Sequence, residues 1–397
     1  MPAPVREISD AERRARLAVR HGLGPGCAFS SIASATAGMT AWHATELPSV
    51  HLGIQARTRG LSVEDVDAAL NLDRSLVKQL SMRRTLFAVD RALLPAVIAG
   101  PGQRVAGPEH RRLAKDLVAA GLVEDGEKWL AAAESEVLEL LDARVLTTAD
   151  VRAALPRIAG TVPVSIGTKW GQNVAIAPRV LGVLAAQGRV TRGANATHWR
   201  TSKPTWTTMR HWLGAEPELP DARAAYALLV ARWLRTFGPG TEEDIVWWFG
   251  ATKTAVRAAL ADVGAVVVTV AQGGPAWLLP DDLAVVESPG PWAALLPTLD
   301  PTTMGWRGRA FYLNTDHTAY LFDSVGNAVP TVWVDGRIVG GWSQDPEGEV
   351  RIMLREKLPR HHLDLVEEAR QRLIAFVDGD RVPSTYAVAL LAGRRLP

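Results

Sequence analysis

The chain has 397 residues, enough for two or three domains with substantial buried cores. Lys and Arg (44) nearly balance Asp and Glu (42), so overall charge names no partner, and any face for a polyanion has to come from local clustering. The single cysteine, Cys27, excludes an intrachain disulfide framework and a cysteine-based zinc site and fits a reducing, cytoplasmic setting; no run is apolar and long enough to span a membrane, and Met1–Asp10 has no signal-peptide apolar region.

Ser9-Asp10-Ala11-Glu12 is a capping-box start for a helix through Arg20, with Arg13, Arg14, Arg16 and Arg20 on a solvated face. A second helix is expected over Thr40–Thr45, just before the Pro48-Ser49 break. His43 and Thr45 bracket Ala44 there, and two polar groups at a helix end can face a cleft together. A half-buried histidine beside a threonine bonded to its own backbone fits the same local pattern. Ser62 to Asp65 caps a third helix to about Leu70, and Leu76–Val89 alternates as one or two strands. Three helices followed by a short strand pair is the winged-helix order.

That order recurs. Helices near Glu109–Ala119 and Glu127–Leu141 lead to Thr148-Ala149-Asp150, a cap for a helix through Leu155; Trp170–Gln187 reads as helix and Gly188–Thr201 as a hairpin with a polar tip. The third copy has helices Asp221–Phe237, Ile245–Phe249 (capped from Thr241) and Lys253–Val263. Strands Ala265–Val270 and Ala276–Leu279 follow, joined by Gln272-Gly273-Gly274. Beyond Pro291, short strands with Gly and Pro turns precede a closing helix, His362–Val377. The expected fold is mainly α with α+β elements: winged-helix units at 1–100, 101–218 and 219–288, then a β-rich region with its closing helix at 289–397.

Between Leu181 and Gly240, basic residues outnumber the acidic Glu216, Glu218 and Asp221. The hairpin carries Arg189, Arg192, Arg200 and Lys203 around Asn195, His198 and Trp199, a composition suited to phosphate contact and groove probing. No carboxylates cluster at metal-ligand spacing. His361-His362 are adjacent, so their side chains diverge on a helix, and no metal or cofactor is expected.

Four stretches in order resemble the AlkZ/YcaQ family of winged-helix DNA glycosylases. Pro48-Ser49, Leu52-Gly53-Ile54, Arg57 and Gly60-Leu61 resemble that family's P-S-x-x-L-G-L-x-x-R-x-x-G-F run. Met82-Arg83-Arg84-Thr85-Leu86-Phe87 resembles its M-R-G-T-x-H strand, with Arg84 for the glycine and Phe87 for the histidine. Leu296-Pro297-Thr298-Leu299-Asp300 with Arg307 and Arg309 resembles its L-x-P-F-D…R-x-R segment, and Val332–Trp342 its V-x-V-D-G-R-V-V-G-x-W pair. In this register the family's catalytic Q-Φ-Q or Q-Φ-D signature falls on His43-Ala44-Thr45.

The resemblance implies a C-shaped tandem of winged helices and a monomer that acts on double-stranded DNA carrying alkylated guanine. The implied reaction is hydrolysis of the N-glycosidic bond of N7-alkylguanine, including bulky genotoxin adducts or interstrand crosslinks, in repair or self-resistance. His43, as a base near working pH, and Thr45 would place the water. Trp42 and Asp300 are lesion-cleft candidates; Arg83, Arg84, Arg307 and Arg309 join the hairpin residues as DNA contacts. The alternative is a non-catalytic winged-helix protein, a regulator or lesion sensor, since fold alone does not decide.

Overall fold

The structure, a computed structural model, describes residues 3–382 apart from 47, 165–168, 170, 202, 272 and 273. The first helix, Asp10–Arg20, starts where Ser9 Oγ accepts the Glu12 N–H. Its arginines are not a solvated face. Arg16 is 1% exposed, 2.8 Å from Glu12 and 3.0 Å from Asp282; Arg20 donates to both Asp282 oxygens, and Arg13 lies over the Phe311 ring. Asp282 and Phe311 lie far along the chain, so helical spacing alone cannot separate these arginines from solvated ones.

The next helix, Ile32–Met39, is held at its start by a Ser31/Ser34 capping box. It ends before the stretch expected to be helical. Thr40 takes φ 62°, and Trp42–His43 is a strand, antiparallel to Leu86–Asp90 with His43 opposite Phe87. The Ala44 N–H extends that ladder to Leu86 O at 2.8 Å. Pro48 then opens a helix, Pro48–Arg57, as proline's fixed φ allows at a first position. Val63–Asn71 has the expected Ser62/Asp65 cap. Leu76–Leu80 and Leu86–Asp90 form the expected strand pair around a single turn, Met82–Arg84.

The middle of the chain begins with a helical run from Leu94 to Ala119 that passes through a π turn at Ile98–Gly102. Helices Gly126–Leu141 and Thr148–Ala154 follow, the latter capped by Thr147, one residue before the expected position. The helix expected from Trp170 is shorter, Ile176–Ala186, because Gln172–Ala175 pairs as a strand with Thr161–Val164; Trp170 itself is outside the described residues. The basic hairpin is Val190–Asn195 with Pro204–Thr208. A Cβ on Gly126 would lie 2.2 Å from Ala114 O on the preceding helix, so only glycine fits that crossing. Gly126→Ala should therefore lower stability by about 1–3 kcal/mol in a urea melt, and an unchanged midpoint would refute the crossing.

Helices Ala222–Phe237, Glu242–Phe249 and Lys253–Asp262 are capped by Asp221, Thr241 and Thr252, of which Thr241 is the expected cap. They precede the hairpin Val266–Val270/Gly274–Leu278; of its expected turn, Gln272 and Gly273 are outside the described residues. The strand Glu7–Ile8 adds to this hairpin in parallel. The last sheet is antiparallel, in the order Ala293–Leu296, Thr331–Val334, Arg337–Gln344, Val350–Leu354, and helix Arg360–Val377 packs on it.

One apolar core joins Trp42 and Phe87 to Trp233, Phe237 and Trp248 and on to Trp306 and Trp333. Residues between 113 and 206 have a core of their own around Leu130, Val137 and Leu181. Among the described residues no helix is long and apolar enough to cross a membrane.

Candidate active site

A strand, rather than a helix end, carries His43 toward Thr45. The strand is short: it holds Trp42 and His43, and Thr45 lies in the bend beyond it. His43 is 5% exposed, its ring 4.7 Å from that of Phe87, which is itself 5.9 Å from Trp248. Its Nδ1 is buried without a hydrogen-bond partner among the described residues. Thr45 follows the ladder's end and is exposed. Burial first, and the charge of Arg83 second, pull the His43 imidazole down to about 3. This corrects the expectation of a base titrating near working pH: His43 is neutral and a weak proton acceptor, although it can still align a water by hydrogen bonding.

Arg83 and Arg84 both take left-handed backbone angles in the tight turn after Leu80, φ 54° and 63°. The turn sends them apart. Arg84 is exposed and pairs with Glu109 at 3.1 Å, whereas Arg83 folds over the Trp247 ring at 4.2 Å. Arg309 reaches the same ring at 5.8 Å and Phe322 at 4.3 Å; Arg307 points outward to Glu243. Burial first and Arg309 second lower the Arg83 guanidinium to about 10, still cationic at neutral pH. Arg309 also lines a cleft of about 650 Å³ with Arg13, Lys253, Trp277 and Phe311. Arg83 lines a smaller one, about 300 Å³, with Arg84, Arg104 and Glu109. Trp247 stands next to Trp248 on the helix Glu242–Phe249, and nothing in that adjacency marks it as the platform for two arginines.

Trp42 and Asp300 do not line a cleft; both are fully buried. Trp42 donates its indole N–H to Thr36 Oγ1 at 3.0 Å. Asp300 receives a two-pronged contact from Arg57, 2.9 Å to Oδ2 and 2.6 Å to Oδ1, and accepts the Thr302 amide at 2.8 Å. Arg57 also donates to Gly53 O and to Thr302 Oγ1, and Thr302 Oγ1 lies 2.8 Å from His21 Nδ1. The pair ties the helix that follows the His43 strand to the start of the C-terminal region.

The hairpin tip is docked on the protein. Trp199 is 8% exposed and gives its indole N–H to Asp380 at 2.7 Å; His198 lies 3.5 Å and Arg200 3.3 Å from the same carboxylate. Trp199 also meets the His51 ring at 5.1 Å, so its position as a groove probe is corrected: its apolar face is in the core of the C-terminal sheet. Arg192 is largely buried against Trp206, Arg189 lies 3.8 Å from Glu134, and Lys203 is exposed. If Asp380 holds the tip, Asp380→Ala should make trypsin cut after Arg200 about tenfold faster. Equal cleavage rates would show the tip is held by Trp199 packing alone.

The architecture can be set beside that of known proteins. The profile of the family described as DNA glycosylase AlkZ-like matches residues 36–376, and the chain belongs to that family of DNA glycosylases. Among solved structures the chain is similar in fold to the Streptomyces sahachiroi DNA glycosylase AlkZ. The TM-score is 0.72 at 22% identity, covering 95% of this chain and 99% of that one. A search of curated proteins finds no match.

Proposed function

We propose that the chain is a monofunctional glycosylase that hydrolyses the N-glycosidic bond of N7-alkylguanine, bulky genotoxin adducts and interstrand crosslinks included. The observation that carries this reading is a neutral imidazole with an unpartnered Nδ1, two residues before Thr45, at the position where the resemblance puts the family's catalytic signature. Alkylation at N7 makes the purine cationic, and the base departs neutral without prior protonation. No strong acid is needed. What remains is to hold a water under C1′ and to stabilise the developing oxocarbenium ion. The C1′–N9 pair goes to the departing neutral base; neutral His43 orients the water that forms the C1′–O bond, the Thr45 hydroxyl gives it a second anchor, and the water's surplus proton passes to bulk solvent.

On this reading the protein is a cytoplasmic monomer whose winged-helix units, at 1–100, 101–218 and 219–288, curve around the duplex. Arg83, Arg309, Arg189 and Lys203 meet the backbone first. Arg84, Arg307, Arg192, His198 and Arg200 exchange their present partners for phosphates only after contact. An open cleft suits a crosslinked base, which cannot swing into a closed pocket.

A second reading, a non-catalytic lesion-binding protein, is favoured by His43 and Phe87 standing where the family has glutamine and histidine. Single-turnover excision separates the two. Excess protein is mixed with duplex carrying 7-methylguanine or a nitrogen-mustard crosslink, and abasic sites are opened with mild alkali. Strand breaks support the glycosylase; tight binding without breaks on either duplex supports the second reading.

A further inference from the structure

Two arginines that meet at the Trp247 indole, one of them near His43, have no anion. Among the described residues neither Arg83 nor Arg309 forms an ion pair, although both are half-buried. Arg309 donates to Gly326 O at 3.2 Å and lies 3.7 Å from Met304 Sδ, while its Nε is buried with no partner. The Asp244 carboxylate nearby is occupied by the Thr241 cap and by the amides of Arg307 and Gly308. Other arginines on these elements are paired: Arg84 with Glu109, Arg257 with Glu242, Arg307 with Glu243. Two like charges that share the Trp247 indole repel each other and stay half-buried at a cost, unless an anion arrives. The indole lowers that cost, since a guanidinium is weakly hydrated and stacks on an aromatic face.

We infer that Arg83 and Arg309 together form a subsite for one phosphodiester of the strand that carries the excised base, with Trp247 as its fixed floor. The inference rests on the glycosylase reading for the identity of that strand. Electrostatics decides which part of the lesion nucleotide goes there: a cationic N7-alkylguanine is repelled by two guanidiniums, and its phosphate is attracted. The guanidinium fork matches phosphate oxygens. Arg83 is also close enough to His43 to bear on its charge. A phosphate held on this pair therefore fixes the sugar relative to the water that His43 aligns. Arg83 and Arg309 act as positioning residues.

The test is a cycle between protein and DNA. Wild type and the Arg83→Gln/Arg309→Gln double variant are titrated with duplexes in which one phosphate at a time, on either side of a 7-methylguanine, is a neutral methylphosphonate. At one position the replacement should weaken wild-type binding about ten- to a hundred-fold and leave the double variant unaffected. The salt slope of the double variant should be shallower by about 0.9, one phosphate's worth. Equal losses in both proteins at every position overturn the subsite. Thermal melts of the double variant exclude misfolding, because removing two repelling charges should leave the midpoint unchanged or higher. Binding is read separately from excision. Coupling without strand breaks would fail the glycosylase reading and keep the subsite; strand breaks without coupling would do the reverse.

Discussion

Replacing His43 by alanine should lower single-turnover excision of 7-methylguanine by about a hundred- to ten-thousand-fold while duplex binding stays nearly unchanged. The effect follows from position. His43 ends its strand two residues before the exposed Thr45, and its Nδ1 is a buried donor or acceptor without a partner. His43→Gln should keep much of the rate, because an amide can orient a water as an imidazole does. The register adds a sharper form. Phe87 stands opposite His43, so the imidazole that the family's M-R-G-T-x-H strand carries is here moved across the ladder to its neighbour. Adding Phe87→His to His43→Gln should raise the rate above that of His43→Gln alone.

The pH profile has a definite sign. With His43 at about 3 when folded and near 6.5 when unfolded, the rate shows no inflection near 6.5; an inflection there would mean that His43 works as a titrating base. Stability behaves differently. The unfolded chain binds the His43 proton more readily, so this contribution is fully present above 6.5 and is lost progressively as the pH falls towards 3. His43→Gln should flatten that part of the urea midpoint against pH.

The second large effect is at Arg57 and Asp300, both fully buried. Asp300→Ala leaves a guanidinium without its counter-ion inside the core, and unfolding in urea should show a loss of about 3–5 kcal/mol. Arg57→Met with Asp300→Leu should recover much of it, since no charge is then left unpaired. Excision should fall with Asp300→Ala as well. Trp42, the neighbour of His43, lies beneath Arg57, 5.3 Å from ring centroid to guanidinium carbon. A loss under 1 kcal/mol for the single variant would mean that water reaches the pair.

Local chemistry was the legible part of the sequence. The caps at Ser62 and Thr241 and the strand pair around Met82–Arg84 are set by residues within a few positions of one another. Long-range pairing was not legible. Trp42–His43 is a strand because Leu86–Asp90 offers it a ladder, and that overrides the helical spacing before Pro48. Arg16, Trp199 and Asp300 looked exposed or functional because their partners Asp282, Asp380 and Arg57 lie far along the chain. The candidate site divides in the same way. His43 and Thr45 could be marked by motif register, but the meeting of Arg83, Arg309 and Trp247 depends on three separate elements.

Strand Glu7–Ile8 closes its sheet only on Val266–Val270. During synthesis at roughly 5–20 residues per second, the early strand waits on the order of ten to fifty seconds for its mate to be made. Over that interval Ile8, fully buried in the finished protein, has no sheet to join. The segment ahead of the first helix is thus among the last to settle, and the sheet it completes can form only after nearly everything that surrounds the His43 strand has left the ribosome.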